Sequence, residues 1–92
     1  MDIIFENSDV CVINKPGAMS AHQDGFREEY TVSDWFVEHV PSAKDVGEPL
    51  VLKDGTSVPR HGVVHRLDKE TSGVMILAKT QEAFLFLKTQ FQ

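Results

Sequence analysis

Nine consecutive residues, His65-Arg66-Leu67-Asp68-Lys69-Glu70-Thr71-Ser72-Gly73, carry most of the chemical potential of this sequence. They form a dense polar stretch with a carboxylate near its centre. The stretch runs directly into the apolar segment Val74-Met75-Ile76-Leu77-Ala78. A reactive group placed there sits on a rigid edge. Asp68 has Arg66 two residues before it and Lys69 immediately after it. Nearby cations lower a carboxylate's pKa and keep it ionised. An ionised, positioned carboxylate can serve as nucleophile or general base. The same residue types also make an ordinary turn ahead of a strand.

His61 and His65 invite a metal reading, with Asp68 as third ligand. Residues four apart share a helical face, but Pro59, Gly62 and the β-branched pair Val63-Val64 oppose a helix there. On a strand the two histidines could still share a face. The remaining histidines, His22 and His39, are distant in sequence. Hydrogen-bonded histidines are the simpler reading. Lys15-Pro16-Gly17 could touch a phosphate, but it lacks the glycine spacing of a phosphate-binding loop and reads as a turn.

These residues need elements to position them. Ile3-Ile4-Phe5 and Val10-Cys11-Val12-Ile13 are β-branched runs separated by the turn-forming Glu6-Asn7-Ser8-Asp9, which predicts a hairpin. Pro16-Gly17 closes the second strand. Ala18 to His22 reads as a short extended piece, and Asp24 to Tyr30 as loop. Thr31 to Val40 reads as a helix with Thr31 as N-cap and Asp34 favouring its N-terminus. Val32, Trp35, Phe36 and Val40 form its apolar face, and Pro41 stops it.

Ser42 to Pro59 reads as a loop or small hairpin, with Asp54-Gly55 as the tight turn between Leu50-Val51-Leu52 and Val58. Gly62 to His65 is short and extended. Gly73 to Lys79 is a strand whose near-continuous apolarity predicts burial on both faces. Thr80 caps a second helix running to Gln92, with Ala83, Phe84, Leu87 and Phe91 in one stripe and Phe86 widening it. The aromatic residues at helical spacing read as core rather than as base-stacking platforms.

The chain has 92 residues, enough for one small core. A hydrophobic fraction of 41% and a charged fraction of 25% are ordinary globular values. No apolar run approaches the roughly 20 residues needed to span a bilayer, so no membrane partner is expected. The start of the chain lacks the basic and apolar stretches of a secretory signal. The single cysteine, Cys11, excludes an internal disulfide and reads as a buried small hydrophobe. These features suit a reducing, cytoplasmic setting. A net charge of −5 runs against a nucleic-acid binder. Lys53, Arg60, Arg66, Lys69 and Lys79 all fall in the second half, however, which leaves room for a local basic face.

Asp9 to Gly17 with its Asn14-Lys15-Pro16, the downstream His22, and the run from His61 to Gly73 resemble the motifs of RluA-type pseudouridine synthases. The segment from Val74 to Gln92 resembles the strand and helix that follow them. The resemblance covers most of the chain apart from Gln23 to Pro59. It implies an α+β fold: part of a mixed, mainly antiparallel sheet with flanking helices. It implies isomerisation of uridine in rRNA or tRNA with Asp68 as catalytic residue, and no metal or organic cofactor.

By the same resemblance, Arg66 occupies the space vacated by the flipped base, and His65, Lys15 and Lys69 are candidate RNA contacts. Leu67, Thr71, Ser72 and Gly73 shape the loop. The family's later motifs add a tyrosine and a basic residue from further along the domain. Tyr30, the single tyrosine, lies in the wrong segment for that role. Residues 1–92 are therefore expected to be the N-terminal portion of a catalytic domain, inactive alone and completed by its C-terminal part. A non-catalytic RNA-binding remnant on the same fold is the alternative, and a metal-dependent hydrolase built on His61, His65 and Asp68 is a third.

Overall fold

The computed structural model describes residues 1–21, 29–48, 50–51, 53–58, 61–65, 67 and 69–91. The hairpin forms as expected. β1 (Asp2–Glu6) and β2 (Val10–Lys15) pair antiparallel, with a register irregularity between Ile3 and Phe5. Asn7 makes the turn: its Oδ1 accepts from the backbone N–H groups of Asp9 and Val10 at 2.8 and 2.9 Å. This is the local bonding that favours asparagine in turns.

Ala18 has φ of 62°, and Ala18 to Ala21 is not a strand. The segment becomes a strap instead. Met19 N–H donates to the Lys69 carbonyl, and the Ser20 and Ala21 carbonyls accept from Val32 and Ser33. His22 lies outside the described residues.

α1 (Val32–His39) starts at Thr31 with a full capping box. Thr31 Oγ1 accepts from Asp34 N–H at 3.3 Å, and Asp34 Oδ2 accepts from Thr31 N–H at 2.9 Å. Such a cap contributes about 1 kcal/mol. Val32 and Phe36 are fully buried, with Trp35 and Val40 packed against the same cluster. Pro41 ends α1 but opens a 3-10 helix, Pro41–Asp45, that the loop reading did not foresee.

β3 (Leu50–Val51) and β4 (Ser57–Val58) make the small hairpin around Asp54-Gly55. Leu52 and Pro59 lie outside the described residues. β5 (Gly73–Ala78) joins the other side of β2, giving a sheet in the order β1-β2-β5. α2 (Gln81–Gln90) follows, capped by Thr80 Oγ1, which accepts from Ala83 N–H at 3.1 Å.

Two clusters hold these elements. Cys11 and Ile13 of β2 and Met75 and Leu77 of β5 point to one face, where Val32 and Phe36 of α1 cover them. Phe84 of α2 meets Ala78, Val46 and Val64 in a smaller second cluster. The second face is thus covered only near the Ala78 end. Val74 is 58% exposed, and the expectation of burial on both faces of β5 is corrected. Phe86 is 65% exposed and does not widen the packed stripe of α2.

The Gly62 to His65 segment lies along the outer edge of β5. Gly62 O accepts from Ala78 N–H at 2.8 Å, and Val63 bridges Leu77. Gly62 itself has φ of 83°. A Cβ there would lie 2.3 Å from the Ala78 carbonyl oxygen and 2.7 Å from Phe36 Cε2, so only glycine fits between α1 and β5. The result is an α+β architecture, as the sequence predicts.

Candidate active site

Strand alternation decides where Lys15 goes. Cys11, Ile13 and Lys15 share one side of β2, and that side is buried. The Lys15 side chain is 0% exposed. Its ammonium donates to three backbone carbonyls: Pro16 at 2.9 Å, Lys69 at 3.2 Å and Thr71 at 2.7 Å. All three N–H bonds of the cation are used, as a buried charge requires. Burial pulls the Lys15 pKa below its ordinary value, and the carboxylate of Glu70 opposes that shift. Lys15 is therefore not free to meet a phosphate. Its expected role as an RNA contact is corrected to that of an anchor for the polar loop.

The Lys69 carbonyl also accepts from Met19 N–H at 3.1 Å. Gly17 lies close beneath the loop, where a Cβ would be 3.3 Å from the Glu70 oxygen. Leu67 packs on the main core. Gly73 enters β5 with φ of 147°, a conformation that favours glycine. A Cβ there would lie 3.5 Å from Leu67 Cδ1. Thr71 and Ser72 are exposed, and Thr71 contributes its backbone oxygen to the anchor. The residues on both sides of position 68 are thus held by buried contacts. Asp68 and Arg66 themselves lie outside the described residues.

His65 lies half-buried against the edge of β5. Its Nε2 accepts from Ile76 N–H at 3.1 Å, and its ring stacks on Phe91 with centroids 4.2 Å apart. An accepting Nε2 fixes a neutral imidazole with the proton on Nδ1. Burial lowers the pKa of this ring in agreement. In the structure the His65 ring substitutes for a strand partner at the edge of β5. Lys69 is half-buried, and its ammonium pairs with Glu29 Oε2 at 3.0 Å.

Lys79 pairs with Glu6 and Lys88 with Glu48, so these described cations do not gather with Lys69 into one basic face. His61 Nδ1 lies 3.0 Å from the Lys44 carbonyl oxygen. His61 and His65 are each engaged with backbone, which removes the support for a metal site at those two residues.

Sequence reasoning missed the anchoring role of Lys15 and the packing role of Gly62. The first was available from the period-two alternation that puts Lys15 beside Cys11 and Ile13. The second depends on how closely α1 approaches β5, which no local pattern encodes.

The geometry is that of a polar loop anchored to β2, and the sequence that builds it matches a known family. The family described as RNA pseudouridylate synthase matches residues 9–92. This chain belongs to the RNA pseudouridylate synthase family. The chain is 36% identical over 92 residues to the ribosomal large subunit pseudouridine synthase D of Pseudomonas aeruginosa, covering all of this chain and 25% of that protein. It is 40% identical over 83 residues to the protein of the same name from Vibrio parahaemolyticus, covering 90% of this chain and 22% of that one. An uncharacterized RNA pseudouridine synthase of Synechocystis is 34% identical over the whole chain and 25% of its own length. The chain thus spans about a quarter of the length of the curated relatives it matches. In this pseudouridylate synthase chain, the clamp formed by Lys15 secures the carbonyls of Lys69 and Thr71 in the polar loop.

Proposed function

We propose that the protein carrying this chain isomerises uridine to pseudouridine in RNA, with Asp68 as the catalytic carboxylate. One observation carries the reading. In a chain of this family, the residues flanking position 68 are locked to β2 by a buried ammonium that binds the carbonyls of Lys69 and Thr71. A carboxylate does useful chemistry on a flipped base only if its backbone does not move with the substrate.

The reaction breaks the glycosidic bond between N1 of uracil and the sugar and makes a new bond from C5. The hydrogen on C5 leaves and N1 gains one, so no oxidant or cofactor is consumed. The base must leave its stack before this can happen. Asp68 then meets the sugar or the base as the bond breaks. Arg66, whose planar guanidinium can stack on bases and pair with phosphate, fills the space left behind.

The substrate we infer is large-subunit ribosomal RNA, because that is what the names of the relatives state. Transfer RNA is the competing substrate. The cytoplasm is the inferred location, consistent with an RNA substrate and a single cysteine that has no partner for an internal disulfide.

The test compares the 92-residue chain with the full-length protein carrying it, each given large-subunit rRNA and total tRNA. The expected result is pseudouridine in rRNA only, formed by the full-length protein and not by residues 1–92 alone. Pseudouridine in tRNA only would replace the substrate. RNA binding with no pseudouridine in either RNA would favour a binding remnant on the same fold.

A further inference from the structure

The hairpin end of the sheet holds a second group of polar side chains, remote from the loop. Glu6 ends β1, and Cys11 is its cross-strand partner on β2. His39 is the last residue of α1. Three separate elements therefore deliver a carboxylate, a thiol and an imidazole to one place. One ligand atom from each lies within 4.8 Å of the others. Cys11 and Lys15 are four residues apart on an extended strand, about 13 Å, so this cluster is distinct from the loop anchor.

The cluster is partly organised already. His39 Nε2 is 2.8 Å from Glu6 Oε2, and Lys79 Nζ is 2.7 Å from the same oxygen. His39 also stacks on Trp35, with centroids 5.0 Å apart and planes 11° from parallel. The ring is thus held from one side while its nitrogen faces the carboxylate. Cys11 is buried, whereas the His39 and Glu6 side chains are 33% and 28% exposed. An ion would approach past His39 and Glu6 and meet sulfur behind them.

Thiolate, imidazole and carboxylate together form a borderline-soft donor set that suits zinc. Zinc bond lengths of about 2.0–2.3 Å place tetrahedral ligand atoms roughly 3.5 Å apart. The ligand atoms lie within 4.8 Å of one another, so binding must draw them together by about 1.3 Å at most. We propose that Glu6, Cys11 and His39 form a zinc site with three protein ligands and a fourth position open to water.

Binding is balanced by protons and charge. The Cys11 S–H bond breaks, sulfur keeps the electron pair for the metal, and the proton leaves to solvent; the hydrogen that His39 Nε2 now donates to Glu6 leaves that nitrogen and Nδ1 takes one up, so the neutral ring offers its Nε2 lone pair to zinc. Burial holds the thiol above its ordinary range, and the charge of Glu6 adds to that, so the metal must displace the proton. Lys79 is the competing cation: it already neutralises Glu6. Zinc replaces that pairing at one carboxylate oxygen. Once bound, zinc ties the β1–β2 hairpin to the C-terminal end of α1.

The test is a cobalt(II) titration of the full-length protein at neutral pH, followed by displacement with zinc. Trp35, the single tryptophan of residues 1–92, stacks on a ligand and reports through quenching. The expected result is saturable binding of one equivalent, a thiolate-to-cobalt charge-transfer band, and loss of both signals when zinc is added. Cys11→Ser should remove the band. Cys11→Ser and His39→Gln should each weaken binding by at least about 10-fold. The His39 side chain is a third exposed and lies outside the core, so His39→Gln tests the site even if Cys11→Ser unfolds the core. Absence of saturable binding would overturn the proposal. So would binding that is unchanged in His39→Gln, which would place the ion at other ligands.

Discussion

The ammonium of Lys15 lies 2.7 Å from the carbonyl oxygen of Thr71, 56 residues further along the chain. The same nitrogen holds the carbonyls of Lys69 and Pro16. A single buried cation therefore joins the first strand pair to the loop around position 68. Removing it takes this donor from the part-buried carbonyls of Pro16 and Thr71 and leaves the Lys69 carbonyl with Met19 N–H alone. Lys15→Met should cost about 3 kcal/mol of stability, measured as the midpoint of denaturant unfolding. Lys15→Arg should not restore it, because a planar guanidinium cannot aim its donors at three converging oxygens. Full stability in Lys15→Met would show that the loop holds its place by other contacts.

Gly62 is the second structural lynchpin, wedged between Phe36 of α1 and Ala78 of β5. Its positive φ and the missing space act together. Gly62→Ala should cost about 3 kcal/mol or more, because the nearest obstacle is a strand carbonyl that cannot rotate away. Thermal unfolding followed by circular dichroism measures the loss. Wild-type behaviour in this variant would mean that α1 can retreat from β5 at little cost.

His65 gives the fold a defined acid response. Its neutral ring accepts from Ile76 N–H, and burial holds its folded pKa below the ordinary histidine value of about 6.5. The unfolded chain therefore binds the proton more readily. The contribution of His65 is complete above about pH 6.5 and is lost as pH falls below that value, at up to about 1.4 kcal/mol per pH unit. His65→Gln keeps an acceptor but does not titrate. Its stability between pH 6.5 and 5.5 should fall less steeply than that of the wild type. Parallel curves would remove His65 from the acid response.

Much of this architecture is legible from local signals. The hairpin follows from Asn7 in its turn, α1 from Thr31 and Asp34, and α2 from Thr80, because each depends on bonds within a few residues. The polar loop is legible as a motif. What the loop rests on is not, because Lys15 and Thr71 meet only through the pairing of β2 with β5. The role of His65 is hidden for a related reason: its segment lies along the opposite edge of β5, beside the Val63–Leu77 bridge, so its spacing from His61 suggests a ligand while its ring completes a strand edge. The partial cover on the second face of β5 is equally nonlocal: Val74 continues an apolar run, but α2 reaches only the Ala78 end.

The most direct test concerns Asp68. Pseudouridine formation and RNA binding are measured together in the full-length protein and in its Asp68→Asn form. Asparagine keeps the shape and hydrogen bonding of the side chain but loses its charge and nucleophilicity. Turnover should disappear while RNA affinity stays within about 2-fold of the wild type, a change worth under 0.5 kcal/mol. Turnover near the wild-type rate in Asp68→Asn would contradict the assignment of Asp68 as the catalytic carboxylate.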